Sequence, residues 1–70
     1  MYRGATMRTK LITARKAKKL TQAQLGALVG LSKQSICNIE KGRTEGKPSM
    51  WDAMQSILRV SQRKLREQGE

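Results

Sequence analysis

The sequence predicts an all-α domain of five short helices. Apolar residues recur at three- and four-residue spacing in five separate stretches. Glycines and hydroxyl-bearing residues stand between those stretches, where helices stop and start. The chain has 70 residues, the length of one small domain. A domain of this size buries roughly 60% of the surface that its unfolded chain exposes.

Residues 1–7, MYRGATM, hold a glycine and little apolar periodicity, and are expected to form a flexible arm. The folded domain is expected over 8–66, with a frayed polar end at 67–70. From Arg8 to Lys19 there is neither Gly nor Pro, and Met7, Leu11 and Ala14 recur at helical spacing. Lysines gather at the C-terminal end of this first helix, where they suit the helix dipole. Thr21-Gln22-Ala23-Gln24 then supplies an N-cap threonine with glutamine at the third helical position, a capping box. Leu25, Leu28 and Val29 follow on one face, and Gly30 ends the second helix because it accepts a left-handed conformation.

Ser32 is placed to cap a third helix, Lys33 to Lys41, whose inward residues are Ile36, Ile39 and Glu40; Gly42 closes it. Two short helices joined by a tight glycine turn make a helix-turn-helix. Residues 42–48, GRTEGKP, read as a loop. Ser49 is expected to cap a fourth helix that buries Met50, Met54, Ile57 and Leu58. Ser61 is expected to cap a short fifth helix anchored by Leu65.

Charge narrows the function. Fifteen Lys and Arg against five Asp and Glu give +10. Residues 1–43 hold ten of the basic side chains and one acid, Glu40; residues 44–70 hold five basic and four acidic. Such an imbalance points to a polyanionic partner met by the first half of the chain. A membrane surface fits poorly, because glycine-punctuated short helices are not one long amphipathic helix. No apolar run approaches the roughly 18 residues of a membrane span. The basic N-terminus lacks a signal peptide's apolar stretch. The single cysteine allows no internal disulfide, and a cytoplasmic, nucleoid-associated protein is expected. There is no histidine, so neither histidine acid–base catalysis nor a Cys2His2 zinc site is available. No enzyme activity, cofactor, metal or small-molecule ligand is expected.

The stretch from Leu11 to Leu65 resembles the Cro/phage-repressor (XRE-type) helix-turn-helix domains. The resembling residues are LxxAR at 11–15, LTQAQLGALVGLSKQSICNIEKG at 20–42, PS at 48–49 and the junction around Leu58, Val60 and Ser61. Within the central segment, Gly26 is the small residue where two helices should cross. The resemblance implies a five-helix, lambda-repressor-like fold with its second helix over the phosphate backbone of double-stranded DNA and its third in the major groove. It also implies a homodimer on a roughly palindromic operator, with half-sites about one helical turn apart.

With Ile36 and Ile39 turned inward, Lys33, Gln34 and Asn38 project outward, with Cys37 close by. Glutamine and asparagine pair two-pronged with adenine, and lysine donates to guanine. Many members carry glutamine where this chain has Lys33, a departure that favours guanine there. Thr21, Gln22, Ser35, Lys41 and Arg43 are the expected phosphate contacts, Gln22 matching the family's phosphate-binding glutamine. Arg3, Arg8 and Lys10 are candidates to follow the backbone or enter the minor groove. The resemblance also implies a largely buried salt bridge between Arg15 and Glu40.

Trp51, Met7, Met50 and Met54 are expected in the core, Trp51 alternatively in a subunit interface, and Cys37 as a small filler. Surfaces near Leu58, Val60 and Leu65 are the expected dimer interface. Gln62 replaces the family's apolar residue after Ser61, which implies a weak or DNA-induced dimer. The expected role is a Cro-like or compact repressor. A restriction–modification controller, an antitoxin, and a protein-interaction module on the same fold are the alternatives.

Overall fold

Leucine, isoleucine, methionine and tryptophan side chains from five helices meet in one core in the computed structural model, which describes residues 7–68. The helices are α1 (Thr9–Ala17), α2 (Gln22–Val29), α3 (Lys33–Glu40), α4 (Pro48–Leu58) and α5 (Gln62–Arg66), with no strand among the described residues. Leu11, Leu25, Ile36, Trp51, Met54 and Leu65 are fully buried. The main packing pairs are α2 with α3, α1 with α5, and α4 with α5. No helix among the described residues is long and apolar enough to cross a membrane. Residues 1–6 of the expected arm and residues 69–70 of the expected frayed end lie outside the described residues.

The first helix begins at Thr9, and that start changes which residue faces inward. Met7, expected in the core, is 46% exposed, because it precedes the first helical residue and does not share the spacing of Leu11 and Ala14. Arg8 goes in instead. Its backbone N–H donates to the Glu40 carbonyl at 2.8 Å, tying the start of α1 to the end of α3.

The capping box of α2 is complete, with Gln24 N–H donating to Thr21 Oγ1 (3.0 Å) and Thr21 N–H to Gln24 Oε1 (2.9 Å). At about 3.6 residues per turn, Leu25, Gly26 and Val29 share the inward side, and Leu28 falls outside it, more than half exposed. Leu28 therefore does not share the face of Leu25 and Val29, contrary to what the spacing suggested. Gly26 carries the close approach between α2 and the chain entering α3. A Cβ there would lie 2.5 Å from the Leu31 carbonyl oxygen, a backbone atom that has nowhere to go. Gly30 takes φ 78° as the C-cap, and Ser32 Oγ accepts from Ser35 N–H at 3.1 Å to start α3.

One expected cap is replaced, and another holds its position without a side-chain bond. The fourth helix starts at Pro48, whose ring presets the helical φ, with Lys47 as N-cap; Ser49 lies one residue inside. Trp51 packs fully buried on this helix and donates from Nε1 to the Glu45 carbonyl at 2.8 Å. Ser61 is the N-cap residue of α5, as expected, but makes no side-chain cap bond; Gln55 Oε1 accepts from Gln62 N–H instead, at 2.9 Å. Glu67 and Gln68, expected to fray, reach Lys10 and the Gly42 carbonyl.

Candidate nucleic-acid interface

One face of α3 is fixed in the core by Ile36, Ile39 and Glu40. The opposite face carries Lys33 and Gln34, both exposed, and the half-buried Asn38 one turn beyond Gln34. Gln34 Nε2 donates to Asn38 Oδ1 at 3.3 Å, so the two amides are already in register. Cys37 is half-buried with a free thiol. Ser35 is engaged with Ser32, whose Oγ lies 3.1 Å from its own.

Behind that face, the Glu40 carboxylate is 2% exposed and receives N–H donors from two other helices. Arg15 Nε donates to Oε2 at 2.6 Å and Gln22 Nε2 to Oε1 at 2.8 Å. Arg15 also donates to the Leu20 carbonyl at 2.8 Å, closing the connection between α1 and α2. Gln22, expected at a phosphate, has one amide N–H committed to Glu40. What it offers outward is the N-terminal turn of α2, where the first backbone N–H groups of a helix lack intrahelical partners. Thr21 Oγ1 accepts its capping bond from Gln24 N–H, which leaves the hydroxyl proton to donate outward.

Cations surround that helix start. Lys16, Lys19 and Lys33 line a shallow depression with Thr21, Gln22 and Ala23. An anion placed there meets both the positive end of the helix dipole and three ammonium groups. Lys16 lies in the last turn of α1, where the helix dipole favours a cation. Lys19, at φ 60°, lies past the end of α1 in the turn beside α2. On the other side of α3, Ser35 and Asn38 face Thr44, Lys47 and Ser49 across an open groove of about 740 Å³. Thr44 and Lys47 were not singled out in the sequence, and Ser49 was expected only as a helix cap. Lys41 and Arg43 are exposed just past the end of α3.

The N-terminal arginines and lysine divide differently from expectation. Arg3 lies outside the described residues. Arg8 is not on the surface: it is 1% exposed and donates to the carbonyls of Ile39 (2.6 Å), Thr44 (2.9 Å) and Arg66 (3.2 Å). Its guanidinium lies over the Trp51 ring, 5.2 Å from the centroid. Burial pulls its pKa below the ordinary arginine value; Glu45 opposes that shift and Arg66 adds to it. Lys10 is half-exposed but paired with Glu67 at 2.5 Å.

The expected dimer surface also narrows. Leu58 and Leu65 are consumed by the molecule's own core, leaving the half-buried Ile57 and Val60 as the apolar residues beside the α4–α5 junction. Gln62 is held at home by a 2.6 Å bond from its Nε2 to Asp52 Oδ1.

A family model described as helix-turn-helix domain matches residues 7–68. Among solved structures, the chain is similar to the restriction-modification controller protein C.AhdI from Aeromonas hydrophila. The two are 26% identical with a TM-score of 0.73, over 83% of this chain and 88% of that one. No curated protein matches the chain in sequence.

Proposed function

The chain belongs to the helix-turn-helix domain family, and from that premise we propose a sequence-specific transcriptional regulator that lays α3 in the major groove of operator DNA. The observation that carries this reading is the outward row of Lys33, Gln34 and Asn38 on a helix whose other face is locked by Ile36, Ile39 and Glu40. Such a row presents base-reading groups on a rigid support. The cation-lined start of α2 takes one phosphate, while Lys41, Arg43 and Lys47 take others beyond α3. Lys33, one residue into α3 and beside that depression, reaches either guanine or the backbone.

The regulator binds as a homodimer to a roughly palindromic site, because one short helix reads too few base pairs for specificity alone. Ile57 and Val60 form the apolar part of the contact, and its small extent supports assembly that is weak without DNA. Similarity to a restriction-modification controller protein supports a compact regulator of that class or of the Cro-like class. The role is binding in the cytoplasm, without catalysis or cofactor.

Selection of bound sites from random DNA tests the reading directly. A palindrome with half-sites about one helical turn apart is expected. Affinity for that site should fall steeply with salt, by close to one unit of log–log slope per neutralised phosphate. No enriched site, or an affinity indifferent to salt, would overturn the proposal.

A further inference from the structure

We propose that Gln34 and Asn38 read DNA as one coupled unit, in which Gln34 reads its own base and also sets which way the Asn38 amide faces. This rests on the placement of α3 in the major groove proposed above. The observation is the bond from Gln34 Nε2 to Asn38 Oδ1, 3.3 Å long between side chains four residues apart on the outward side of α3. That spacing places two side chains one above the other on a helix, and amide pairs there are mutually stabilising.

A glutamine amide has two N–H groups and one carbonyl oxygen. Two-pronged pairing with adenine uses the oxygen and one N–H, leaving the second N–H free. In this structure that second donor has a use, since it can hold Asn38 Oδ1 while Gln34 pairs with its base. The consequence falls on Asn38. Taken alone, an asparagine accepts from adenine N6 and donates to N7. With its oxygen engaged by Gln34, Asn38 turns its Nδ2 group to the base edge and acts as a donor. It then prefers a base pair that offers acceptors, guanine O6 and N7 or thymine O4, over adenine. Ser35 is turned toward Ser32 rather than Asn38: its backbone N–H donates to Ser32 Oγ, and its own Oγ accepts from that hydroxyl.

The coupling makes the two positions unequal, and this separates it from independent reading. Site selection and affinity measurement on the full chain and its Gln34→Ala and Asn38→Ala variants provide the test. Both side chains lie on the outward side of α3, and thermal melts of each variant establish that the fold is intact. Unaltered protein is expected to select adenine at one position, beside an acceptor-bearing base at the next. Asn38→Ala should lose about tenfold discrimination at its own base pair only. Gln34→Ala should lose it at both, because the released Asn38 amide rotates and accepts adenine as readily as guanine or thymine. If Gln34→Ala relaxes one base pair and leaves the Asn38 position unchanged, the two residues read independently and the coupling is wrong, while DNA reading by α3 stands. If the unaltered chain enriches no site at all, the proposed function fails and this inference with it.

Discussion

Glu40 and Asn38 sit two residues apart on α3, yet they answer to opposite demands. Glu40 is enclosed, so its charge must be matched by donors; Arg15 and Gln22 supply them. Arg8, over the Trp51 ring, is the converse case, its buried donors met by carbonyl acceptors, and no buried side-chain nitrogen or oxygen among the described residues lacks a partner. Asn38 and Gln34 bond to each other and keep further donor and acceptor capacity facing outward. Polar groups on the inner side of α3 are consumed in holding three helices together, whereas those on the outer side are left available. The difference teaches where to look for function in a chain with charge almost everywhere: at the polar groups whose bonding capacity the fold has not used.

The sharpest way to break the inner side is Glu40→Ala. It leaves Arg15 buried without its carboxylate, a loss of about 3–5 kcal/mol. For a domain of this size each kcal/mol lowers the melting temperature by about 4–8 °C, so the thermal transition followed by circular dichroism should drop far or vanish. An unchanged midpoint would refute the structural role of the pair.

Arg8→Met comes next. It keeps the aliphatic stem and removes the donors to three carbonyls, at a cost of about 2–4 kcal/mol. Trp51 emission should shift as well, since the guanidinium over its ring is gone. Arg8→Lys is expected not to restore stability, because one compact ammonium cannot span the three carbonyls that a planar fork reaches. Full rescue by lysine would mean that charge alone, and not the fork, matters there.

Arg8 also shows what the sequence left hidden. Features carried by neighbouring residues were legible: Thr21 and Gln24 cap α2 three positions apart, and Gly30 ends it in the left-handed region. Glu40 was legible too, as the one acid in a basic half. The partners of Arg8 are backbone carbonyls up to 58 positions away, and a carbonyl has no residue-type signature. Only the fold brings them together, so Arg8 read as one more surface cation. Gln22 was ambiguous for another reason. A glutamine at a helix start suits a phosphate or a carboxylate equally well, and the buried neighbour that takes its amide comes from α3. Ser49 misled because serine is a common cap; Pro48 beside it, preset for the first helical turn, was the stronger signal.

On the outer side the signs reverse. Gln34→Ala removes a side chain that the core does not use, so the melting midpoint should move by no more than about 0.5 kcal/mol in equivalent stability. Affinity for the selected site should nevertheless fall by about tenfold or more. Paired melts and binding titrations on Gln34→Ala and Glu40→Ala would put the two faces on one scale. A Gln34 variant that melted as early as the Glu40 one would erase the distinction between scaffold and reader.

The smallest effect belongs to a contact that is neither buried nor free. Lys10 donates to Glu67, and this hydrogen bond, with the lysine's charge behind it, holds the Glu67 carboxyl below the ordinary glutamate value. A carboxylate whose pKa is lower folded than unfolded stabilises the fold above its unfolded value. That contribution disappears as the pH falls through the folded one. Glu67→Gln should therefore melt slightly earlier than the unaltered chain near neutral pH, and the gap should close as the pH falls through and below the ordinary glutamate range. Because both side chains are exposed, added salt should shrink the neutral-pH gap as well. A gap that survived both acid and salt would assign the contact's value to packing at the α1–α5 seam, and would move Lys10 and Glu67 into the same class as the partnered groups inside.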